Sequence, residues 1–578
     1  MSTDFQCQWD IDRVYEMIRT IAEDIPDRLP GTDAARRMAE FSCAELGRAG
    51  VAAAVHPVHA LVSIPKPAVL KVLAPVELEI PALTMAHSPN TAEPITARLY
   101  DVGLGRWEDF DGLPVEGQVT LSELSYAPPR QEKQRIAGLR GSCAQVMMNW
   151  GYPDSEELPM GSVKPGWGNP TRDTMHLSEA SVPCMGISRK HGEVLRRLCR
   201  EGPVTVMLQT RADTGWRDIH VTVGEIPCDA GADFAMAGGH QDGWFGAAAT
   251  DNASGSAILV ELARVFAENA PLLRRGLTVG FWAGHETGTM AGSAWWADRN
   301  WDRLRDHAVG YLQIDQPACA GTFGWSVTSN HEMRDLAVRV QAETDANAEI
   351  AWAPQVKNGD SSFFGVGVPM MVAHSHFPDE ELARTANAAY GWWHHTRRND
   401  LDKIDRGLLK WHLDTYAAYL RKLTMDPVLP QRFAPLGEAL AARLGELLPL
   451  DDNDRIGLRG LCAEASRLHG TLRGLDAAAD GLAQGTDRDR GRIDAMNERL
   501  KRLSRILIPI MSTAAGRYGH DPYGLTAQTT VIPGLYAMAE YAATAPGAAR
   551  EMLWVELARA RNRVSDAIAE AAAVCAGA

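Results

Sequence analysis

The sequence lacks the features by which secreted and membrane proteins are usually recognised. It contains no apolar run long enough to span a bilayer, and its amino-terminal segment MSTDFQCQWDIDRVYEM alternates charges with apolar residues instead of forming a secretory signal. Its nine cysteines include no CxxC pair, a distribution that favours reduced thiols over a disulfide framework. These absences predict a cytoplasmic protein without a membrane partner.

Basic residues are also in deficit. The formal net charge is −15, from 58 Lys and Arg against 73 Asp and Glu. A chain of this sign is not expected to bind nucleic acid or an anionic membrane non-specifically. At 578 residues the chain is too long for one hydrophobic core, so two to four domains are expected. None of these bulk properties specifies a function.

The composition and the spacing of apolar residues change three times along the chain. The first part has apolar residues at helical spacing and predicts two helices. Short strand-like runs separated by Pro and Gly then predict a β-rich insertion, which we expect to be a packing or lid module. The last part is rich in Ala, Leu and Arg, and it predicts a helical packing or subunit-interface domain. The expected segments are 1–64, 65–217, 218–426 and 427–578.

The third segment predicts an α/β fold with a mixed, mainly parallel sheet between layers of helices. Its short apolar runs FAMAGGH, LTVGFWAG, VGYLQID and PMMVAHS are typical of buried parallel strands. Between the first two, SGSAILVELARVFAE predicts an amphipathic helix. His240, Glu286 and Asp315 fall at or just beyond the ends of three of these runs, which is the edge where open α/β sheets bind ligands.

Two histidines and three carboxylates in this segment form a candidate set of metal ligands: His240, Asp251, Glu286, Asp315 and His395. Taken singly, each has an ordinary explanation; Asp251, for example, could cap the helix that follows it. Taken together, they predict two metal ions. His240 and Asp315 would hold one, Glu286 and His395 the other, and Asp251 would bridge them. Such N/O ligands suit zinc first, with Mn, Fe or Co as alternatives. Asp242 is a candidate outer carboxylate for the second nitrogen of His240.

Five motifs in order, GGHQD, GAAATDNASGSA, FWAGHETGTMAGS, LQID and WWHHT, resemble the co-catalytic zinc aminopeptidase family. The likeness is greatest to the branch of glutamate carboxypeptidase II and the transferrin receptor. GISRKHGEVLRRL resembles the end of the protease-associated domain inserted in that branch, and MNERLKRLSRILIPIM and VIPGLYAMAEY resemble its helical dimerisation domain. The resemblance implies a zinc-peptidase fold, a homodimer, and metal ligands at the same five positions.

One departure from that family bears directly on the chemistry. The family has two consecutive glutamates, a general base followed by a ligand, whereas this chain has His285 followed by Glu286. We expect a dinuclear hydrolase that cleaves an amide or peptide bond in a small amino-acid or peptide derivative, with metal-bound hydroxide as nucleophile and His285 as the acid/base. His285 could instead ligate a metal or bind a substrate carboxylate, and two alternatives for the function remain open. One is deamination or elimination (a lyase reaction) at the same metals, and the other is a non-catalytic, receptor-like binding protein.

Further residues near the ligands are candidates for substrate contacts. His394 occupies the position at which relatives polarise the substrate carbonyl, so it is a second catalytic candidate. Trp244 and Phe245 are predicted to form an apolar pocket wall, and Arg397 is predicted to contact an anionic group. Asn399 stands where the family usually has an acidic residue, so the support of the His395 loop is expected to differ. The partner of this site would be a small molecule or a short peptide.

Overall fold

The computed structural model describes residues 5–344, 350–485, 489–523 and 531–577. The chain begins with two helices, α1 (Ile11–Asp24) and α2 (Asp33–Arg48). Each starts at a side-chain cap, since Asp10 accepts from the amide of Arg13 and Thr32 accepts from the amide of Ala35. The predicted apolar face of α1 is buried in the core that also contains residues of the central sheet.

A closed barrel of seven strands follows, inside the segment that the sequence assigns to an insertion. The antiparallel pair β1 (Ala52–Pro65) and β9 (Ala212–Ile226) leads into and out of it. The barrel strands are β2 (Pro67–Ala74), β3 (Leu78–Thr84), β4 (Ile95–Asp101), β5 (Val119–Glu123), β6 (Ala144–Met148), β7 (Cys184–Ile187) and β8 (Val204–Gln209). Helices α3 (Arg130–Leu139) and α4 (Arg189–Glu201) pack on the outside, and closure leaves the barrel without a free sheet edge.

The central sheet has eight strands in the order β1-β9-β11-β10-β12-β15-β13-β14. Its remaining strands are β10 (Phe234–His240), β11 (Gly276–Trp282), β12 (Ala308–Gln313), β13 (Phe323–Ser329), β14 (Ile350–Pro354) and β15 (Met370–His376). Strands β11, β10, β12 and β15 are mutually parallel. Strand β9 runs antiparallel to β1 and β11, and β13 runs antiparallel to β15 but parallel to β14. Every residue of β10, β11 and β12 is buried, which is why these strands are continuous apolar runs in the sequence.

Helices cover both faces of this sheet and confirm the expected α/β class. The additional helices are α5 (Ser254–Glu268), α6 (Ala291–Arg299), α7 (Trp301–His307), α8 (Arg334–Thr344), α9 (Asp379–Arg384) and α10 (Arg406–Met425). One core joins the sheet to α1, α2, α5, α8 and α10, and a second core joins it to α6 and α7. The two cores lie on opposite faces, so the sheet edge is what remains open to a ligand.

The last part of the chain is helical, as the sequence predicts. It contains α11 (Ala434–Leu447), α12 (Leu458–Gln484), α13 (Arg490–Ser512), α14 (Met538–Ala543) and α15 (Ala548–Ala576). Their apolar side chains continue the larger core of the sheet domain. Among the described residues, no helix combines the length and the apolarity that crossing a membrane requires. Pairing of two chains through these helices stays a prediction.

Glu332 carries a fully buried carboxyl group whose oxygens have no hydrogen-bond partner among the described residues. Burial raises the pKa of this carboxyl from 4.5 to about 8. Between these values the folded chain keeps a proton that the unfolded chain has released, so the free energy of unfolding should fall as the pH rises. The free energy of unfolding should fall by on the order of 3 kcal/mol between about pH 5 and about pH 8, and Glu332→Gln should remove this fall.

Urea unfolding at about pH 5 and about pH 8 measures the difference between the two proteins. Glu380→Gln, at an exposed position in α9, is the control for the loss of a glutamate charge. An equal pH dependence in the wild type and in Glu332→Gln would contradict the expectation.

Candidate metal centre

Three of the predicted ligands lie at the carboxyl ends of neighbouring parallel strands. His240 is the last residue of β10, Glu286 follows β11, and Asp315 follows β12. Because β11, β10 and β12 are adjacent and parallel, their carboxyl ends meet at one edge of the sheet. His240 is fully buried, Glu286 is 5% exposed, and the Asp315 side chain is 18% exposed.

The other two predicted ligands come from loops. Asp251 precedes α5 without capping it, since the cap position is Ala253 and the side chain that accepts from the first turn, from the amide of Gly255, is that of Asn252. His395 sits in a turn with a φ of 56°. Asn399 ties the two loops together, because its side-chain oxygen accepts from the amide and hydroxyl of Thr250 at 2.8 and 2.9 Å. The side-chain amide of Asn399 therefore supports the His395 loop, at the position where the family usually has an acidic residue.

The structure brings all five side chains to a common point. His240 Nε2 lies 3.0 Å from Asp251 Oδ1 and 3.3 Å from Asp315 Oδ1. His395 Nε2 lies 3.2 Å from Asp251 Oδ2 and 3.4 Å from Glu286 Oε1. Asp251 thus lies between a His–Asp pair and a His–Glu pair, facing His240 with one oxygen and His395 with the other. His394 Nδ1 lies 3.1 Å from that second oxygen.

Four of these buried atoms have no hydrogen-bond partner among the described residues: His240 Nε2, Asp251 Oδ2, Glu286 Oε1 and Asp315 Oδ1. Buried polar atoms are nearly always paired, so a group of them converging on one point needs a partner. Imidazole nitrogens and carboxylate oxygens are the donors that Zn²⁺ and similar ions bind. The residues present therefore fit a metal centre.

The surrounding charges favour ionised carboxylates at this centre. Burial opposes ionisation of Asp251, but its contacts with His240, His394 and His395 hold the pKa of its carboxyl well below the ordinary value. Burial also opposes ionisation of Glu286, and His395 lowers its pKa. Deprotonated carboxylates are the form that ligates a metal.

Asp242 supports the centre through two different groups. Its main-chain carbonyl lies 3.0 Å from His240 Nδ1, whereas its carboxylate is 4.0 Å from that nitrogen. The carboxylate instead accepts from the amides of His285 and Glu286 at 3.3 and 3.0 Å. The carbonyl thus orients the imidazole and the carboxylate holds the loop that carries Glu286, a division that the sequence analysis did not anticipate.

The two catalytic candidates lie on either side of the ligands. The ring of His285 stacks on His240 with centroids 3.9 Å apart, and its Nδ1 lies 3.0 Å from Asp360 Oδ2. Burial and the nearby His240 oppose protonation of His285, while Asp360 favours it and raises the pKa of the metal-free ring to about 9. Cations bound at the adjacent ligands would oppose protonation and favour the neutral ring. His394 stacks on His395 at 3.8 Å, and burial together with His395 lowers the pKa of His394 to about 4.

A cleft of about 140 Å³ opens onto the centre and is walled partly by the barrel. The barrel segment supplies Ser125, Tyr126, Pro129, Arg130, Gln131, Trp150 and Ser162, and the rest of the chain supplies Thr289, Gln313, Gln316, His374, Tyr390 and Tyr523 beside the central residues. Trp150 stacks on His394 at 5.6 Å, and Tyr126 stacks on Trp150 at 5.3 Å. The insertion is thus part of the site, contrary to its expected role as a packing or lid module without chemistry.

Three residues predicted for the substrate pocket lie elsewhere. Trp244 is buried in an apolar cluster with Leu29 and Met160, behind His395, and Phe245 packs against that cluster. Arg397 stacks on Phe245 at 5.2 Å, with its side chain 66% exposed. None of the three lines the cleft. Their closeness to the ligands in sequence was misleading, because burial of the large rings turns this loop away from the opening.

The barrel also holds the loop that carries Glu286. His87 Nε2 lies 2.6 Å from the carbonyl oxygen of Thr287, and Lys164 Nζ donates to the carbonyl of Gly288 at 2.9 Å. Both side chains belong to the insertion and are fully buried. Burial lowers the pKa of Lys164 to about 7. Two buried polar side chains thus fix the main chain directly after Glu286.

We expect Lys164→Met to impair both stability and activity. It removes a donor from two buried carbonyls, those of Gly168 and Gly288, which should reduce the free energy of unfolding by about 1–3 kcal/mol. It should also lower kcat by about tenfold, because the loop that carries Glu286 loses a constraint. Urea unfolding and steady-state kinetics measure the two effects.

Lys133→Met is the matched control for this substitution. Lys133 is another fully buried lysine of the insertion, and its ammonium donates to the carbonyl of Glu123 within the barrel. This control should lose stability to a similar extent while kcat stays within about twofold. If both variants reduced kcat equally, the loop contact would not matter for activity.

Comparison with known proteins gives one family match and several structural neighbours. Residues 222–420 match the model of Peptidase family M28. An aminopeptidase from Aneurinibacillus sp. strain AM-1 is 20% identical, with 72% of this chain and 94% of that chain covered and a TM-score of 0.53. The zinc aminopeptidase BSAP from Bacillus subtilis is 18% identical, with coverage of 73% and 96% and a TM-score of 0.56. A Peptidase M28 precursor from Shewanella amazonensis SB2B is 18% identical, with coverage of 71% and 92% and a TM-score of 0.57. The curated proteins give no match.

The fold is that of the zinc aminopeptidases. Residues 222–420, which contain all five candidate ligands and both catalytic candidates, form a Peptidase family M28 domain. This confirms the resemblance to the co-catalytic dizinc aminopeptidase family. The match supports a metal-dependent peptide hydrolase as the class of activity.

Proposed function

We propose that the protein is a dinuclear metallohydrolase that cleaves an amide or peptide bond in a small amino-acid or peptide derivative. The observation that carries this proposal is the pair of histidine–carboxylate contacts joined by the two oxygens of Asp251. His240 and Asp315 would hold one ion, His395 and Glu286 the other, with Asp251 between them. Two bound zinc ions would supply Lewis-acid activation of water and of the substrate carbonyl.

His285 and His394 would act on the proton and on the carbonyl oxygen. His285 lines the cleft next to the ligands, so it is placed to take a proton from water and deliver it to the leaving amine. His394 lines the same cleft on the other side of Asp251 and would stabilise the charge that develops on the carbonyl oxygen. Burial of both rings in a small cleft excludes bulk water and strengthens these interactions.

The polar lining of the cleft supports a substrate with both amide-type donors and an anionic group. Buried Gln131 Oε1 and Gln316 Oε1 are acceptors, and Trp150 Nε1 is a donor, none with a hydrogen-bond partner among the described residues. Such atoms would be satisfied by a bound substrate. Arg130 is the only Lys or Arg among the described residues that line the cleft. It would face a carboxylate of the substrate.

A short substrate agrees with the size of the cleft. About 140 Å³ is less than the 300–1,000 Å³ typical of small-molecule sites. Metal-reconstituted protein should therefore hydrolyse dipeptides or N-acylated amino acids faster than peptides of about eight residues. Chelation should abolish the activity, and two equivalents of zinc per chain should restore it. Absence of hydrolysis by protein that holds two metal ions would reject this function.

Arg130→Ala tests the expected anionic contact. We expect KM for a substrate with a free carboxylate to rise about 10-fold or more, and KM for the corresponding amide to change little. Arg397→Ala is the control, because Arg397 lies outside the cleft on Phe245. Equal changes for the acid and the amide would show that Arg130 does not bind the carboxylate.

A further inference from the structure

His285 is bonded to a buried carboxylate that is not among the five candidate ligands. Its Nδ1 lies 3.0 Å from Oδ2 of Asp360, a residue in the loop after β14 that is fully buried. The main-chain amide of Asp360 donates to Gln313 Oε1 at 3.1 Å, which fixes the position of this loop against β12. A histidine and an aspartate thus stand where the family resemblance implies a single glutamate.

The hydrogen bonds that reach Asp360 run in one direction. Trp167 Nε1 donates to Ser362 Oγ at 2.9 Å, Ser362 Oγ and Ser293 Oγ are 2.8 Å apart, and Ser293 Oγ donates to Asp360 Oδ1 at 2.7 Å. An indole N–H can only donate and a carboxylate can only accept. The Ser362 hydroxyl therefore donates to Ser293, and the Ser293 hydroxyl donates to Asp360.

This direction determines which nitrogen of His285 carries the proton. With Ser293 donating to Oδ1, Asp360 Oδ2 receives the Nδ1–H of His285. In the neutral ring, Nε2 is then the nitrogen with a free lone pair. The His285 ring is inclined by only 13° to the ring of His240, with the ring centroids 3.9 Å apart. His285 is placed as a proton acceptor in the cleft, beside the ligands.

We propose that Asp360 is a positioning residue for the reaction, which accepts the Nδ1–H of His285 and thereby directs Nε2 into the cleft. Ser293 in turn fixes the carboxylate of Asp360. The inference rests on the proposed function, because it assigns a partner to the acid/base of that reaction. Aspartate–histidine pairs commonly fix a tautomer and a ring orientation in this way.

Asp360→Asn is the informative substitution, because the chain of hydroxyl donors also determines how the new amide is oriented. Ser293 donates to position 360 at 2.7 Å and has a more distant acceptor in the carbonyl of Met290 at 3.3 Å, so we expect the amide oxygen to face Ser293 and the amide N–H₂ to face His285. The ring is then driven to the tautomer protonated at Nε2, which cannot accept a proton in the cleft. We expect kcat to fall by about 100-fold or more, with KM and the zinc content per chain unchanged.

A double-variant cycle separates positioning from a general structural role. In the background of His285→Ala, Asp360→Asn should change kcat by less than about twofold, because the group through which it acts is gone. Asp476→Asn is the matched control, since Asp476 is a buried carboxylate that accepts from the amides of Phe433 and Ala434 in the helical part. This control should leave kcat unchanged. Equal losses from Asp360→Asn in both backgrounds would overturn the proposal.

The tautomer itself can be observed without any activity. In metal-free protein with ¹⁵N-labelled histidine, measured above the His285 pKa of about 9 so that the ring is neutral, the His285 ring signals are those missing from His285→Ala. They should report Nδ1–H in the wild type and Nε2–H in Asp360→Asn. The same tautomer in both proteins overturns the positioning role even if the enzyme hydrolyses peptides. If the tautomer switches and no hydrolysis is found, the positioning stands and the proposed function fails.

Discussion

Asp251→Asn is expected to abolish both metal binding and hydrolysis. One oxygen of Asp251 faces His240 and the other faces His395, so an amide nitrogen in place of either oxygen removes a ligand atom from one ion and weakens the link to the second. We expect the zinc content to fall below one ion per chain and kcat to fall by at least about 10³-fold, because water at neutral pH depends on the metals for its activation. Elemental analysis of dialysed protein and steady-state kinetics measure the two effects.

Asp451→Asn provides the control for this loss. Asp451 is a buried carboxylate of the helical part and accepts from the amides of Ile456, Gly457 and Leu458, far from the centre in the fold. Its replacement should reduce stability while zinc content and kcat stay near those of the wild type. Full zinc occupancy in Asp251→Asn would show that the aspartate does not join the two ions.

The second large effect is expected at His285. His285→Ala should lower kcat by about 10²- to 10⁴-fold with little change in zinc content, because a general acid/base is lost and no ligand is removed. His285→Glu alone should recover little activity, since its carboxylate would lie about 3 Å from Asp360, and two carboxylates so close do not both ionise. His285→Glu combined with Asp360→Asn should recover at least about tenfold over His285→Ala.

His331→Ala is the control for the loss of an imidazole, because His331 packs edge-on against Trp352 in another part of the sheet domain. It should leave kcat unchanged.

The double variant His285→Glu with Asp360→Asn also tests the nature of the reaction. If the wild type failed to hydrolyse peptides and the double variant hydrolysed them, the native reaction at this centre would be a deamination or an elimination instead.

Local patterns were sufficient to predict the sheet edge and the residues on it. Strand β10 and helix α5 have the bounds that their apolar periodicity indicates, and His240 is the last residue of its strand. Glu286 and Asp315 needed only the rule that parallel strands end at a common edge. Asp251 and His395, which lie in loops, were predicted from the order of motifs and not from periodicity.

Residues brought in from distant parts of the chain were missed. Asp360 follows β14 in a Gly- and Ser-containing turn that has no pattern pointing to His285, and their contact depends on the pairing of β12 with β15. Arg130 and Trp150 belong to the barrel, and their place in the cleft depends on how the barrel docks on the sheet. The error at Trp244 was the opposite one. This residue was predicted to line the pocket because it lies four positions from the ligand His240, but it is buried outside the cleft.

The sequence by itself determined the class of fold, the sheet edge and the three ligands on it, because buried strands and their ends follow from short-range patterns of apolar residues. The order of the motifs added Asp251 and His395. The sequence also determined that a histidine stands where the family resemblance implies a glutamate. Only the tertiary structure decided which carboxylate holds that histidine, which walls close the cleft and which lysine secures the loop of Glu286. Each of those contacts joins segments more than 70 residues apart, and no local periodicity encodes the docking of one such segment against another.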